Sequence, residues 1–272
     1  MHLRTIPVIP VLLTATLLVG IASASAATAT FSNTNTIVIN DSDSPPTVAT
    51  PYPSTNLVTG LDGTLITKVT VSLFGFAHTF PSDVDIVLVG PQGQNAIVFS
   101  NVGGQATKIP VTNIDLTLDD DAGASLPTDS ELVSGTFKPT QGFASAFPFD
   151  FPAPAPKTAD LMGPFLANFQ NTEPNGTWNL YIVDDNGGDS GVITGGWSLT
   201  ITTAPVLLSI ARQQTNAILS WTNGATGYTL QTTPSLKPAA WANVPTAPVE
   251  VSGRFVVTNG MGSGRAFYRL IK

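Results

Sequence analysis

Between residues 57 and 203 apolar and polar positions alternate one for one, the period of a strand with a single buried face. Val69, Val71 and Leu73 alternate with Lys68, Thr70 and Ser72, and Ile114, Leu116 and Leu118 with Asp115, Thr117 and Asp119. Trp178, Leu180 and Ile182 share one face of a strand. Trp197, Leu199 and Ile201 share the face of another, opposite Ser198, Thr200 and Thr202. Residues 83–89 and 96–100 read as further strands. Nothing in this stretch repeats at the 3.6-residue period of a long helix. The pattern predicts an all-β protein built as a two-sheet sandwich or jelly roll.

The flanks read differently. Arg4, an apolar run from Ile6 to Ile21 and the small residues Ala24, Ser25 and Ala26 make a signal peptide of residues 1–26, cleaved near Ala26. The run is short for a membrane span, so export without a transmembrane segment in the mature chain is expected. Residues 27–56 are a lead-in, with one strand-like run at 36–40 and a loose Pro-rich segment after it. The sandwich is assigned to residues 57–203. From residue 204 to 272 the pattern restarts: 218–221, 228–232, 241–244, 254–258 and 266–271 are five short strand candidates separated by Gly and Pro turns. A module this small without disulfides is marginal alone and is expected to pack on its neighbour.

Composition narrows the function. Acids outnumber bases by 18 to 11, and Arg4 lies in the leader. Nucleic-acid partners are excluded, because phosphates require a basic face. There is no cysteine, so thiol chemistry is excluded and the fold depends on burial alone.

Two blocks carry a resemblance to a known family. One is the run from Gly176 to Asp184, GTWNLYIVD, followed by Asp189-Ser190-Gly191 and Trp197-Ser198-Leu199. The other is the run from His78 to Pro91, HTFPSDVDIVLVGP. Together they resemble the P domain (P/Homo B), the β-module that follows the subtilisin-type catalytic domain in kexin- and furin-like proprotein convertases; Val84 stands where that family has leucine. The resemblance spans about residues 45 to 203. It implies a jelly-roll sandwich and a docking or stabilising role. The 204–272 segment is similar to small Ig- or fibronectin-type-III-like modules, through L-S-W at 219–221, G-Y-T-L-Q-T-T at 227–233, W-x-N-V at 241–244 and F-Y-R-L at 267–270.

Candidate chemistry is sparse. Only His78 could act as a base beyond the leader, and it stands in F-A-H-T-F, not in the H-G-T context of subtilisin-like proteases. No G-T-S-M-A-like serine segment exists. No catalytic site is therefore expected, and His78 is read as a structural residue whose ring bonds a carboxylate or a backbone group.

Acids cluster in turns, where Asp commonly caps or forms Asx turns. The sharper reading is calcium, held by oxygen ligands from Asp83, Asp85, Asp184, Asp185 and Asp189 if the two segments meet. The loop 184–196 holds three aspartates and five glycines in 13 residues. Asp119 to Asp121 form a weaker candidate. Zinc does not fit one histidine and no cysteine. Residues 143–156 hold four phenylalanines and four prolines; they are read as a loop packed over the sandwich end, with an exposed binding patch as the alternative.

The expected function is that of a non-catalytic exported binding or structural protein, calcium-stabilised at the acidic loop. Its partner would be a protein or polysaccharide surface. One alternative is an accessory subunit of a separately encoded subtilisin-like serine endopeptidase. The other is a carbohydrate binder that stacks sugar on Phe147, Phe149, Phe151 or Trp241.

Overall fold

The computed structural model describes residues 27–42, 44–104, 107–142 and 151–272. The expected signal peptide, and residues 143–150 of the Phe/Pro-rich segment, lie outside them. Every long element is a strand: β1 (Ala27–Asn33), β2 (Ile37–Ile39), β3 (Thr47–Val48), β4 (Ser54–Val58), β5 (Thr64–His78), β6 (Val84–Val89), β7 (Asn95–Ser100), β8 (Val111–Leu118), β9 (Gly135–Phe137), β10 (Thr140–Gln141), β11 (Gly176–Asp184), β12 (Gly191–Ile193) and β13 (Trp197–Pro205). Among the described residues only three short 3-10 turns interrupt this part of the chain.

The protein is all-β, as the alternation required. One sheet runs β1-β13-β5-β12-β2, with β8 on β5 and β9 on β8; the other runs β10-β7-β6-β11-β3, with β4 also on β11. The inward residues of both sheets form one core. Val71, Leu73, Trp197, Leu199 and Ile201 come from the first sheet, and Val84, Ile86, Leu88, Trp178, Leu180 and Ile182 from the second. The two tryptophans at its centre are anchored by their N–H groups: Trp178 Nε1 donates to the Pro174 carbonyl at 2.9 Å, and Trp197 Nε1 to Ser54 Oγ at 3.0 Å. A buried indole needs such a partner, since an unpaired donor would keep its desolvation cost.

The lead-in is woven into both sheets. β1 lies antiparallel along β13 from Ala27↔Thr203 to Asn33↔Trp197, and Ile37 and Ile39 are fully buried in the core. β3 and β4 pair with successive parts of β11. Tyr52 and Val48, in and beside the Pro-rich stretch, pack on the outer face of the second sheet with Val87, Val89, Tyr181 and Val183. Phe151 joins them, 6% exposed. For this phenylalanine the packed-loop reading holds. The cover also explains why β6 is buried on both faces, where the chain alternates less cleanly.

The C-terminal module has two sheets of its own. β14 (Ser209–Gln213), β15 (Asn216–Thr222), β19 (Arg254–Gly260) and β18 (Val249–Val251) form one; β17 (Ala242–Asn243), β16 (Thr229–Thr233) and β20 (Phe267–Ile271) form the other. All five runs expected from the sequence are strands. β14 and β18 were not anticipated, being short and largely exposed, with no alternation to mark them. The module packs on its neighbour: Leu65 of β5 is buried in the same cluster as Leu219, Trp221, Leu230 and Val257. Lys272 pairs with Glu173 across the same junction.

Candidate functional site

The two blocks that carry the family resemblance fold onto adjacent strands. β11 runs antiparallel to β6 with Val183↔Asp85 and Asp184↔Val84 in register. The pairing continues one step further, where the Asp185 N–H donates to the Asp83 carbonyl at 2.8 Å. Five aspartates thus gather at one end of the second sheet. Strand alternation then divides them. Asp184 shares the inward face with Val84, while Asp85 shares the outer face with Val183.

Asp184 points into the interior. It is fully buried, and its Oδ2 lies 3.1 Å from His78 Nε2, which is also fully enclosed. His78 Nδ1 accepts the Phe80 N–H at 3.1 Å. That bond needs a lone pair on Nδ1, so the ring proton resides on Nε2 and is donated to Asp184. Asp184 Oδ1 accepts the Asn186 N–H at 3.1 Å, forming an Asx turn that starts the Gly-rich loop. The loop closes tightly over this ring. A Cβ on Gly191 would stand 2.3 Å from both His78 Cδ2 and the Ala77 carbonyl, which only glycine avoids.

Asp189 is likewise committed. Its Oδ1 accepts the Thr79 hydroxyl at 2.8 Å and its Oδ2 pairs with Lys108 at 2.5 Å. Lys108 also stands 5.8 Å above the Phe80 ring. Asp41, in the lead-in, accepts the Gly188 N–H. The weaker candidate is structural: Asp119 and Asp121 pair with Lys68, and Asp120 accepts the N–H groups of Leu166 and Ala167.

Asp83, Asp85 and Asp185 remain on the outer side. Asp83 ends a short 3-10 turn, Pro81–Asp83, so it is not on the strand as its spacing from Asp85 suggested. Together with Phe80, Ser82, Asn101 and Asn186, Asp83 and Asp185 line an open cleft of about 310 Å³. Asn101 has φ 49°, in the left-handed region that Asn tolerates better than most residues. Asp85 is 1% exposed, and neither of its carboxylate oxygens has a hydrogen-bond partner. Among the described residues no three His, Cys, Asp or Glu side chains are already arranged to hold a metal ion.

Crowding raises the proton affinity of these acids. Burial, then the charges of Asp185, Asp184 and Asp189, push Asp83 up to about 6. Crowding by the surrounding protein, which partly desolvates the otherwise exposed Asp185, and the Asp184 charge push it up to about 6. Burial first, then Asp185, Asp184 and Asp83, hold Asp85 well above the usual carboxylate range; the nearby Ser100 hydroxyl opposes this without reaching hydrogen-bonding geometry. An acid with a raised folded pKa binds protons more tightly when folded, so stability falls as pH rises toward and past that value. In chelator the melting temperature should therefore be higher at pH 5 than at pH 7.5, and Asp83→Asn should flatten the difference. A melting temperature that rises from pH 5 to 7.5 would contradict the crowding.

The chain matches no protein-family model, no curated protein and no solved structure. Of the aromatic residues named for sugar stacking, Phe151 is packed under the Pro-rich cover and Trp241 carries the Arg269 guanidinium 4.4 Å from its ring. Phe147 and Phe149 lie outside the described residues. Asn101, Asn186 and Lys108 were missed in the sequence. Asn101 and Lys108 sit far along the chain from the aspartates, and only the pairing of strands brings them there.

Proposed function

We propose that the protein is a non-catalytic exported module of the P-domain type, a binding and structural sandwich with a small β module docked on it. The observation that carries this reading is His78. Its ring is fully buried, one nitrogen donates to Asp184 and the other accepts from the Phe80 amide. A general base needs a free nitrogen facing a substrate proton, and His78 offers none. The only other histidine, His2, lies in the expected leader. The pairing of the two resemblance blocks as neighbouring strands supports the P-domain reading.

The test is incubation of the purified protein with dibasic and general peptide substrates and with a fluorophosphonate probe. Neither cleavage nor labelling is expected. Stoichiometric labelling of a serine would overturn the reading. Co-purification of a subtilisin-like protease from the native secretome would favour the accessory-subunit alternative instead.

A further inference from the structure

We propose that Asp83, Asp85 and Asp185, with the side-chain amides of Asn101 and Asn186, form a binding site for a calcium ion on the outer face of the second sheet. This is a narrower and different set from the five aspartates that the sequence brings to mind. It does not depend on the P-domain reading.

The register makes the case. Asp85 stands opposite Val183, and two positions further on Asp83 stands opposite Asp185, joined to it by the Asp185 N–H to Asp83 carbonyl bond. Asp85 faces outward with Val183, and Asp83 and Asp185, just beyond the ends of the two strands, line one cleft together. Like charges directly opposite each other on paired strands destabilise a sheet. Here a third is added, and among the described residues no Lys or Arg pairs with any of the three; Lys108 is held by Asp189.

The second observation is Asp85 itself. Buried carboxylates are normally paired or bound to a metal. Asp85 is 1% exposed, and both of its oxygens lack a donor. Among the described residues it is the one acid with two orphaned oxygens. The charges of Asp185 and Asp83, two residues that line the cleft, act on it directly.

The donor set selects the ion. All five side chains offer oxygen, and the nearby imidazole of His78 faces the other way, toward Asp184. Hard oxygen donors suit calcium or magnesium and not zinc. Calcium takes six to eight oxygens at about 2.3–2.6 Å in flexible geometry, whereas magnesium demands a near-ideal octahedron at about 2.0–2.1 Å. A cleft walled on one side by a glycine-rich loop suits the more tolerant ion. Few bonds hold the cleft acids in place: the Asp83 carboxylate has only a 3.5 Å contact with the Asn186 amide, and Asp185 is exposed.

The experiment uses the full chain freed of metal by chelator, titrated with calcium chloride, with melting temperature and calorimetric heat as readouts. Calcium should bind with one-to-one stoichiometry and raise the melting temperature, and magnesium should raise it less. Asp85→Asn keeps the shape of the side chain and removes charge repulsion, so it should fold at least as well in chelator while losing the calcium-induced rise. Asp185→Asn should lose most of it. Asp121→Asn, whose carboxylate pairs with Lys68, should keep it. The proposal fails if calcium gives neither heat nor a shift, as it would if a proton alone neutralises Asp85. It also fails if the rise survives in Asp85→Asn, which would put the ion elsewhere.

Discussion

Replacing Trp178 by alanine should cost about 3–5 kcal/mol of stability, the range for deleting a large buried aromatic. The indole is fully buried between the sheets and sits 4.9 Å from the Phe169 ring, centroid to centroid. Its removal opens a cavity that Leu180, fixed by the β4 and β6 ladders, and Ile182, fixed by β6 and the Ala49 N–H, cannot collapse into. It also strands the Pro174 carbonyl, which accepts the indole N–H. For a domain of this size the melting temperature should fall on the order of 10 °C. A change of only a degree or two would mean that the face carrying Trp178 is not the centre of the core.

His78→Ala should also be severe, at about 3 kcal/mol, because it leaves a buried carboxylate without the N–H that the neutral imidazole donates and opens a cavity in place of the ring. Asp184 would keep only the Asn186 N–H. The Phe80 amide would lose its acceptor as well. Adding Asp184→Asn should recover part of the loss, since it removes the stranded charge, and a double-mutant cycle in urea measures that coupling. A loss within about 0.5 kcal/mol, the range of ordinary surface changes, would show that the imidazole is not structural. The outcome bears directly on function. A histidine kept for catalysis leaves stability almost untouched when removed, whereas one kept for the fold takes the fold with it.

Much of the architecture was legible one strand at a time. The runs around Val71, Trp178 and Trp197 alternate so regularly that their buried faces could be named in advance, and those residues are the core. β1 and β4 were less visible. Ala27, Ala29 and Phe31 form only a weak apolar face, because that strand is held at a sheet edge by its ladder to β13 and by threonine pairs such as Thr28 with Thr202. Strands stabilised by backbone pairing leave little trace in side-chain pattern.

The acidic site separates what is local from what is not. Period two is a property of the backbone of a single strand, so the parity of Asp184 with Trp178, Leu180 and Ile182, and of Asp85 against Val84, Ile86 and Leu88, could be read from the chain alone. That parity already points Asp184 inward and Asp85 outward. Register belongs to two strands, here about a hundred residues apart, and depends on which pairing buries both apolar faces at once. Only the folded sheet set Asp85 against Val183 and Asp83 against Asp185, gave His78 to Asp184 and Lys108 to Asp189, and left Asp85 with no donor. The sequence by itself determined the kind of element, its buried face and the supply of carboxylates. The tertiary structure decided which carboxylates meet, because charge proximity follows from pairing across the sheet and not from spacing along it.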